Sequence, residues 1–374
     1  MRIAKLCLKG NRTQWAAFGL VLVSLATAPH AQGPNLAGFV ELSYNRNLSI
    51  DPESTNVNAF HSYDFLANTY LLNNAHLALS GMDSGTGLGY AVEMDIGQDG
   101  ALNSTFDFRL VPPLTPSFFS LQEAYGTYAF GPGKAWGLKA GKYATYEGIE
   151  VVEGGANPTV TRGFLFGLAE PVTQTGLEIN YTASIWDLHL GAVNGWDVMF
   201  DNNWMPTFLG KLGLNLGNPL ALTVSTLIGP EQNNNVDNMR MSFDATAVNK
   251  SLPMTDLWLQ VNYGMEDNVT VGTVTDDATW YGVGVQPLVH INDMFAVGLR
   301  YEYFSDPEGA RTATGVEDLA LQNVTVAPTC WLTKNLMTRA EFRMDFANED
   351  VFVDTDNEPS GSQIEVAADL IASF

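Results

Sequence analysis

From residue 35 to the final residue, Phe374, the chain is made of segments in which every second residue is apolar, and no other feature narrows its fold as much. Leu88, Tyr90, Val92, Met94 and Ile96 share one face, while Gly89, Ala91, Glu93, Asp95 and Gly97 share the other. Phe295, Val297, Leu299, Tyr301 and Tyr303 alternate in the same way with Ala296, Gly298, Arg300 and Glu302. A period of two is that of a β-strand with one apolar face. The pattern predicts sixteen strands, near 35–46, 64–80, 87–97, 119–130, 135–143, 175–184, 186–194, 206–215, 219–229, 237–247, 256–266, 279–290, 294–304, 317–328, 335–346 and 362–374. Most are long enough for a tilted strand to cross a bilayer. A soluble sandwich also alternates, but its polar faces carry more Lys and Glu than these do.

The connections alternate as well. Those after odd-numbered strands are long: 47–63, 98–118, 144–174, 195–205, 230–236, 267–278, 305–316 and 347–361. Those after even-numbered strands include Gly131-Pro132-Gly133-Lys134, Gly217-Asn218-Pro219 and Ile291-Asn292-Asp293, which are tight-turn compositions. The turn near 248–255 is the weakest case. Long loops at one rim and short turns at the other are the habit of even-numbered membrane barrels with both termini at the short-turn side. The last strand alternates Ile364, Val366, Ala368, Leu370, Ala372 and Phe374 to the end of the chain. Such a strand resembles the signal read by the outer-membrane assembly machinery. The expected fold is therefore all-β, a transmembrane antiparallel up-and-down barrel of about 16 strands over 32–374.

Composition agrees. Charged residues make up 16% of the chain, against about 25% in ordinary soluble domains. After residue 31 there is no apolar run of the ~20 residues that a membrane helix needs. Residues 1–31 read as a secretory signal peptide: a basic start (Arg2, Lys5, Lys9, Arg12), an apolar stretch from Trp15 to Ala28, and small residues before Ala31-Gln32. The net charge is −23, and setting aside those four basic residues leaves −27. That excludes nucleic acid as a partner, since phosphate binding needs a basic surface. The acidity reads either as a solvated surface or as a pore that favours cations. Cys7 falls in the leader, so Cys330 has no partner for an intrachain disulfide.

If the apolar faces meet lipid, the opposite faces line a lumen. On the strand near 335–346, Arg339, Glu341, Arg343 and Asp345 would point inward as a ladder of alternating sign. Arg300, Glu302, Arg240, Lys211, Lys139, Glu93 and Asp95 share that parity. Charges in a dry core need strict pairing and charges lining a wet channel do not, which favours a water-filled lumen. The third long connection, 144–174, carries Glu147, Glu150, Glu153 and Glu170 against Arg162, with Phe164, Leu165, Phe166 and Leu168. Such apolar content is ill suited to a solvated loop, so the segment is expected to fold into the barrel as a constriction. Phe164 and Phe166 would pack on the wall, with the carboxylates opposite Arg339 and Arg343. The alternative is a mobile external loop.

The same region carries a resemblance. Leu121-Gln122-Glu123-Ala124-Tyr125 is followed by Leu138-Lys139-Ala140-Gly141-Lys142-Tyr143-Ala144-Thr145, then Phe164-Leu165-Phe166, Val193-Asn194-Gly195-Trp196-Asp197 and Arg339-Ala340-Glu341-Phe342-Arg343-Met344-Asp345. Together these resemble the OmpL-like β-barrel porins over most of the chain. The sequence departs from that pattern in having Thr161 where serine is expected and Gln174 where histidine is frequent. The resemblance implies an outer-membrane channel for passive diffusion of small hydrophilic solutes or ions, in contact with outer-membrane lipid and lipopolysaccharide. Assembly as a homotrimer follows only by analogy with general porins. The alternative is a structural or adhesive barrel with a blocked lumen.

No catalytic reading competes. After the leader the histidines are His61, His76, His189 and His290, with no Gly-x-Ser-x-Gly elbow, no zinc-type His spacing and no phosphate loop. No cofactor and no metal is expected. Glu349, Asp350, Asp354, Asp356 and Glu358 could hold calcium, but their spacing does not follow the twelve-residue loop and a solvated acidic loop is the simpler reading.

Overall fold

The computed structural model describes residues 32–107, 117–216 and 220–374. The predicted leader and the Gly217-Asn218-Pro219 turn lie outside those residues. The strands are β1 (Gln32–Asn47), β2 (Thr69–Asp83), β3 (Leu88–Ile96), β4 (Phe119–Phe130), β5 (Trp136–Ala144), β6 (Thr173–Thr182), β7 (Trp186–Val193), β8 (Thr207–Asn215), β9 (Leu220–Pro230), β10 (Met239–Leu252), β11 (Thr255–Val271), β12 (Val274–His290), β13 (Phe295–Asp306), β14 (Leu319–Thr333), β15 (Leu336–Ala347), a small hairpin β16 (Phe352–Val353) and β17 (Pro359–Ser360), and β18 (Ser362–Ser373). One helix, α1 (Gln98–Asp107), follows β3.

Sixteen of these strands, all but β16 and β17, pair antiparallel with their neighbours and close into a barrel. Closure comes from β18 on β1, in register from Phe39 opposite Ser373 to Asn47 opposite Glu365. Gly38 and Phe374 extend that seam with reciprocal backbone hydrogen bonds of 3.4 and 3.0 Å. The closed barrel has no free edge, which is what hydrocarbon surroundings demand.

The barrel is apolar on the outside. Along β11, Val261 is 57% exposed while the adjacent Asn262 is 1% exposed. Leu259, Tyr301, Val324, Phe342 and Leu370 likewise face out, and Gln260, Glu302, Asn323, Arg343 and Asp369 face in and are buried. Aromatic residues gather where strands end. Trp136, Tyr181 and Trp186 lie in a row with ring centroids 4.9 and 5.3 Å apart near the short turns, edge-on and tilted, and Tyr44 meets Tyr70 at 4.6 Å toward the long loops. Such girdles mark the two interfaces of a membrane.

One predicted loop is replaced by strand. Residues 267–278 continue β11 and β12 as a paired extension, turned by Gly272 at φ +60° and Thr273. The β-branched alternation of Val269, Val271 and Val274 carries on past Glu266, and a bulge between Glu266 and Val269 resets the register. The weak turn near 248–255 is a two-residue connection, Pro253-Met254, between β10 and β11.

Candidate functional site

The third long connection, Thr145 to Val172, lies inside the barrel, and the wall is shaped to receive it. Phe164 and Leu165 are fully buried against Trp280, Phe304, Leu319 and Leu321, which are inward residues of β12 to β14. Burying such side chains contributes roughly 1.5–3 kcal/mol each. Glycines in the wall make the approach possible. A Cβ on Gly282 would lie 2.3 Å from Leu165, and one on Gly298 would lie 1.9 Å from the Pro158 carbonyl. A single π-helical turn, Leu165–Ala169, presents the Ala169 carbonyl to the Trp280 indole at 3.0 Å. Phe166 departs from expectation. It packs on Tyr63 of the first long loop (48–68) and on Val152 of its own loop, not on the wall.

The inward charges of β13 and β15 hold the loop's backbone. Arg300 donates to Glu150 Oε1 at 3.0 Å, to the Thr161 carbonyl at 2.5 Å, and to Thr159 and Thr161 hydroxyls at 2.9 Å. Glu302 accepts the Phe164 N–H at 2.7 Å, and Glu341 accepts the Val160 N–H at 2.5 Å. Arg339 pairs with Asp369 of β18 and donates to the carbonyls of Asn157 and Thr159 at 2.8 and 2.7 Å. Arg343 pairs with Asp345 at 2.7 Å, donates to the Arg162 carbonyl at 2.7 Å, and lies over the Phe164 ring at 5.1 Å. Arg162 turns back on its own loop, donating to the carbonyls of Val151, Val152 and Val160.

These contacts correct two expectations. The inward charges of β13 and β15 do not line water without pairing: Arg300, Arg339 and Arg343 are buried beneath the loop, and each has a carboxylate partner. Nor do loop carboxylates stand in a row before Arg339 and Arg343. Glu150 meets Arg300 of β13 and Gln286 of β12. Glu147 takes the Ser242 hydroxyl at 2.6 Å, and Gly148 donates to Asp244, both on β10. Glu153 takes Gln122 of β4 at 2.6 Å. Burial first and Asp244 second push the Glu147 carboxyl up to about 8, so it is largely protonated at neutral pH.

The whole chain from near its start fits one family. The family described as "Putative beta-barrel porin-2, OmpL-like" matches residues 34–374. The chain belongs to this family. It is a porin of the bacterial outer membrane. No curated protein sequence matches it. The fold is shared with solved barrels of very low identity. The outer-membrane channel DcaP of Acinetobacter baumannii is 12% identical, with 93% of this chain and 99% of that chain covered and a TM-score of 0.62. An anion-selective porin from Comamonas acidovorans is 11% identical over 91% and 99%, with a TM-score of 0.59. OmpT of Vibrio cholerae in a trimer form is 10% identical over 92% and 100%, with a TM-score of 0.58.

Two groupings in the porin's interior could not be read from the sequence. The first long loop also enters: His61 sits between Asp64 at 2.5 Å and Asp345 at 2.8 Å. Burial and Arg343 push its pKa down, yet Asp64 and Asp345 outweigh them and hold it up at about 9. The second part is the wall away from the arginines. Lys139 lies 3.9 Å from the Tyr143 ring, and the Tyr146 hydroxyl donates to Glu178 at 2.9 Å. His189 bridges Glu178 and Asp187 at 2.9 and 3.0 Å, and Lys211 pairs with Asp187. Arg240 of β10 pairs with Glu266 at 2.6 Å and lies over Trp196 at 5.1 Å, beside a cavity of about 130 Å³ also lined by Tyr63, Asp197 and Arg311. Parity placed Lys139, Lys211 and Arg240 inward, but no local signal joins them to Tyr146 or Trp196.

Proposed function

We propose that the porin passes small hydrophilic solutes through a polar lane between the constriction loop and the wall of β7, β8 and β10, with a preference for cations. The observation that carries this is the unequal burial of the interior charges. The side chains of Arg300, Arg339 and Arg343 are 0–1% exposed, whereas His189, Lys211, Asp187 and Arg240 keep 9–16%. The loop's arginine anchors lie on β13 and β15; across the barrel it is held through Tyr146, Glu147 and Gly148, and the less buried charges lie beside those contacts. On this reading Arg339, Glu341, Arg343, Asp345, Arg300 and Glu302 border the passage by holding the loop at Glu150, Arg162 and Phe164, while Glu147, Glu153 and Phe166 border it from their own contacts with Ser242, Gln122 and Tyr63. The net charge of −27 outside residues 1–31 supports the cation preference.

Purified protein reconstituted in a planar bilayer should give stable single-channel steps, and a KCl gradient should give a zero-current potential of cation-selective sign. A folded barrel that never conducts would instead establish the blocked, structural alternative, and an anion-selective potential would remove the cation preference. We also propose a homotrimer in outer-membrane lipid with bound lipopolysaccharide. The shared fold with the OmpT trimer form supports this. Mass of the detergent-solubilised protein by light scattering distinguishes one chain from three. Residues 1–31 as a cleaved signal peptide, followed by delivery to the assembly machinery, complete the proposal, and N-terminal sequencing of the mature protein tests the cleavage.

A further inference from the structure

Beyond the seam from the arginine anchors, three side chains from three separate elements converge. His76 of β2, Glu93 of β3 and Glu153 of the constriction loop each place one ligand-type atom within 4.8 Å of the other two. The His76 Nε2 lies 3.8 Å from Glu93 Oε2. Its other ring nitrogen, Nδ1, faces Asp95 Oδ1 at 2.8 Å, and Asp95 is itself held by Asn74 at 2.8 Å and Asn103 at 3.0 Å. A carboxylate that takes the proton of one imidazole nitrogen fixes the tautomer and leaves the other nitrogen as a lone-pair donor. This is the arrangement that supports a metal-ligating histidine. Phe39 stacks on the ring at 5.0 Å and limits its rotation.

The surroundings are short of positive charge. A bulge in β4 puts Gln122 and Glu123 at consecutive interior positions, with Glu123 directly opposite Glu93 in the β3–β4 ladder. Like charges facing each other across a ladder are unfavourable unless something lies between them. Glu41 and Asp99 are also buried nearby, the Glu41 carboxylate against Gly154 beside Glu153. Glu41 Oε2, Asp99 Oδ1 and Glu123 Oε2 are buried with no hydrogen-bond partner. Arg339 reaches within 4.0 Å of Glu41 but is committed to Asp369, and Arg162 is turned to backbone carbonyls. Buried carboxylates in such excess need protons or a cation.

We infer that His76, Glu93 and Glu153 bind a divalent first-row transition metal ion. One imidazole and two carboxylates suit zinc or manganese, and the nitrogen donor disfavours calcium and magnesium. Ligand atoms around such an ion lie about 3–3.5 Å apart, a small contraction from the spacing present. The two carboxylate ligands are only partly buried, and Glu153 is held at one oxygen by Gln122, which leaves its other oxygen for the ion. The ion ties the loop, through Glu153, to β2 and β3, strands to which none of the arginine contacts reaches. No spacing motif announces the site, because its ligands are brought together only when the loop folds inward. Binding is independent of whether solutes pass, so a silent channel would leave it untouched.

The test uses the folded full-length protein in detergent, stripped with a chelator and titrated with Zn²⁺, Mn²⁺ and Ca²⁺ by calorimetry. One equivalent of Zn²⁺ should bind saturably, with protection of residues 150–157 from hydrogen exchange. Glu153→Gln, a loop substitution that leaves the barrel wall intact, should weaken binding by about tenfold or more and abolish the protection, and His76→Gln should do the same. Asp354→Asn with Glu358→Gln in the last external loop should change neither. Absence of a one-equivalent site, unchanged affinity in Glu153→Gln, or Ca²⁺ binding as tightly as Zn²⁺ would overturn the assignment.

Discussion

Single residues inside this barrel act through pairing. Arg300 joins Glu150, Thr159, Thr161, Asn323 and Thr325 in one buried network. Removing one partner of a buried ion pair costs about 3–5 kcal/mol, because the other charge stays behind. Arg300→Ala should therefore release the loop's centre, seen as faster proteolysis within 145–172 in a barrel that still folds. The titrations of His61 and Glu147 point the same way. His61, held at about 9 against an ordinary 6.5, stabilises fully below about pH 6.5, and that contribution disappears as pH rises through 9. Glu147, held at about 8 against 4.5, binds a proton more tightly in the fold, so stability declines as pH rises from 4.5 through 8. Asp244 and Asp197 face Glu147, and Asp64, Asp345, Glu365 and Arg343 face His61. Protection factors, that is exchange corrected for its intrinsic base-catalysed rate, should fall in 58–66 and 145–172 between pH 7 and 9. Glu147→Gln should remove the later loop's share; unchanged protection factors over that range would disprove the coupling.

At the scale of elements, the constriction loop is a folded segment whose docking is as specific as core packing. Phe164→Ala empties a fully buried site and should cost about 3–5 kcal/mol of docking, lowering the loop's docking equilibrium constant by roughly a hundredfold to several thousandfold. Gly298→Val acts from the other side, placing a side chain where the Pro158 carbonyl lies. Both variants should show larger single-channel conductance than the parent while keeping its heat-modifiable barrel; equal conductance would mean the loop does not narrow the passage. Much of this was legible in advance. Phe164, Leu165 and Phe166 in a glycine-rich acidic stretch announced a loop that could not stay in water. Which wall received it was not legible, since that depends on Gly282, Gly284 and Gly298 lying on adjacent strands, a relation of register and not of sequence distance. Parity likewise placed Arg339 and Arg343 inside but could not say that backbone carbonyls, not loop carboxylates, would face them.

For the whole molecule, closure depends on the seam between β1 and β18. A Cβ at Gly38 would lie 2.6 Å from both the Phe374 ring and the His76 carbonyl, so Gly38→Val should hinder closure and lower the yield of folded barrel on gel mobility, with the internal loop contacts unaltered. Normal yield would place the essential part of the seam higher, among Phe39 to Asn47. The strand number, the direction of each face and the closing role of the last strand were determined by the sequence itself. A period of two and the length of a bilayer crossing are local properties that each segment carries alone. The extension of β11 and β12 past Glu266 was missed for a related reason: a bulge breaks the parity count although the pairing continues. Everything that depends on two or more segments meeting in the lumen was decided by the tertiary structure. The clasp of His61, the pairing of Arg339 with Asp369 and the approach of His76, Glu93 and Glu153 are such meetings. Residues far apart in the chain become neighbours only once the barrel has closed and the loop has entered it.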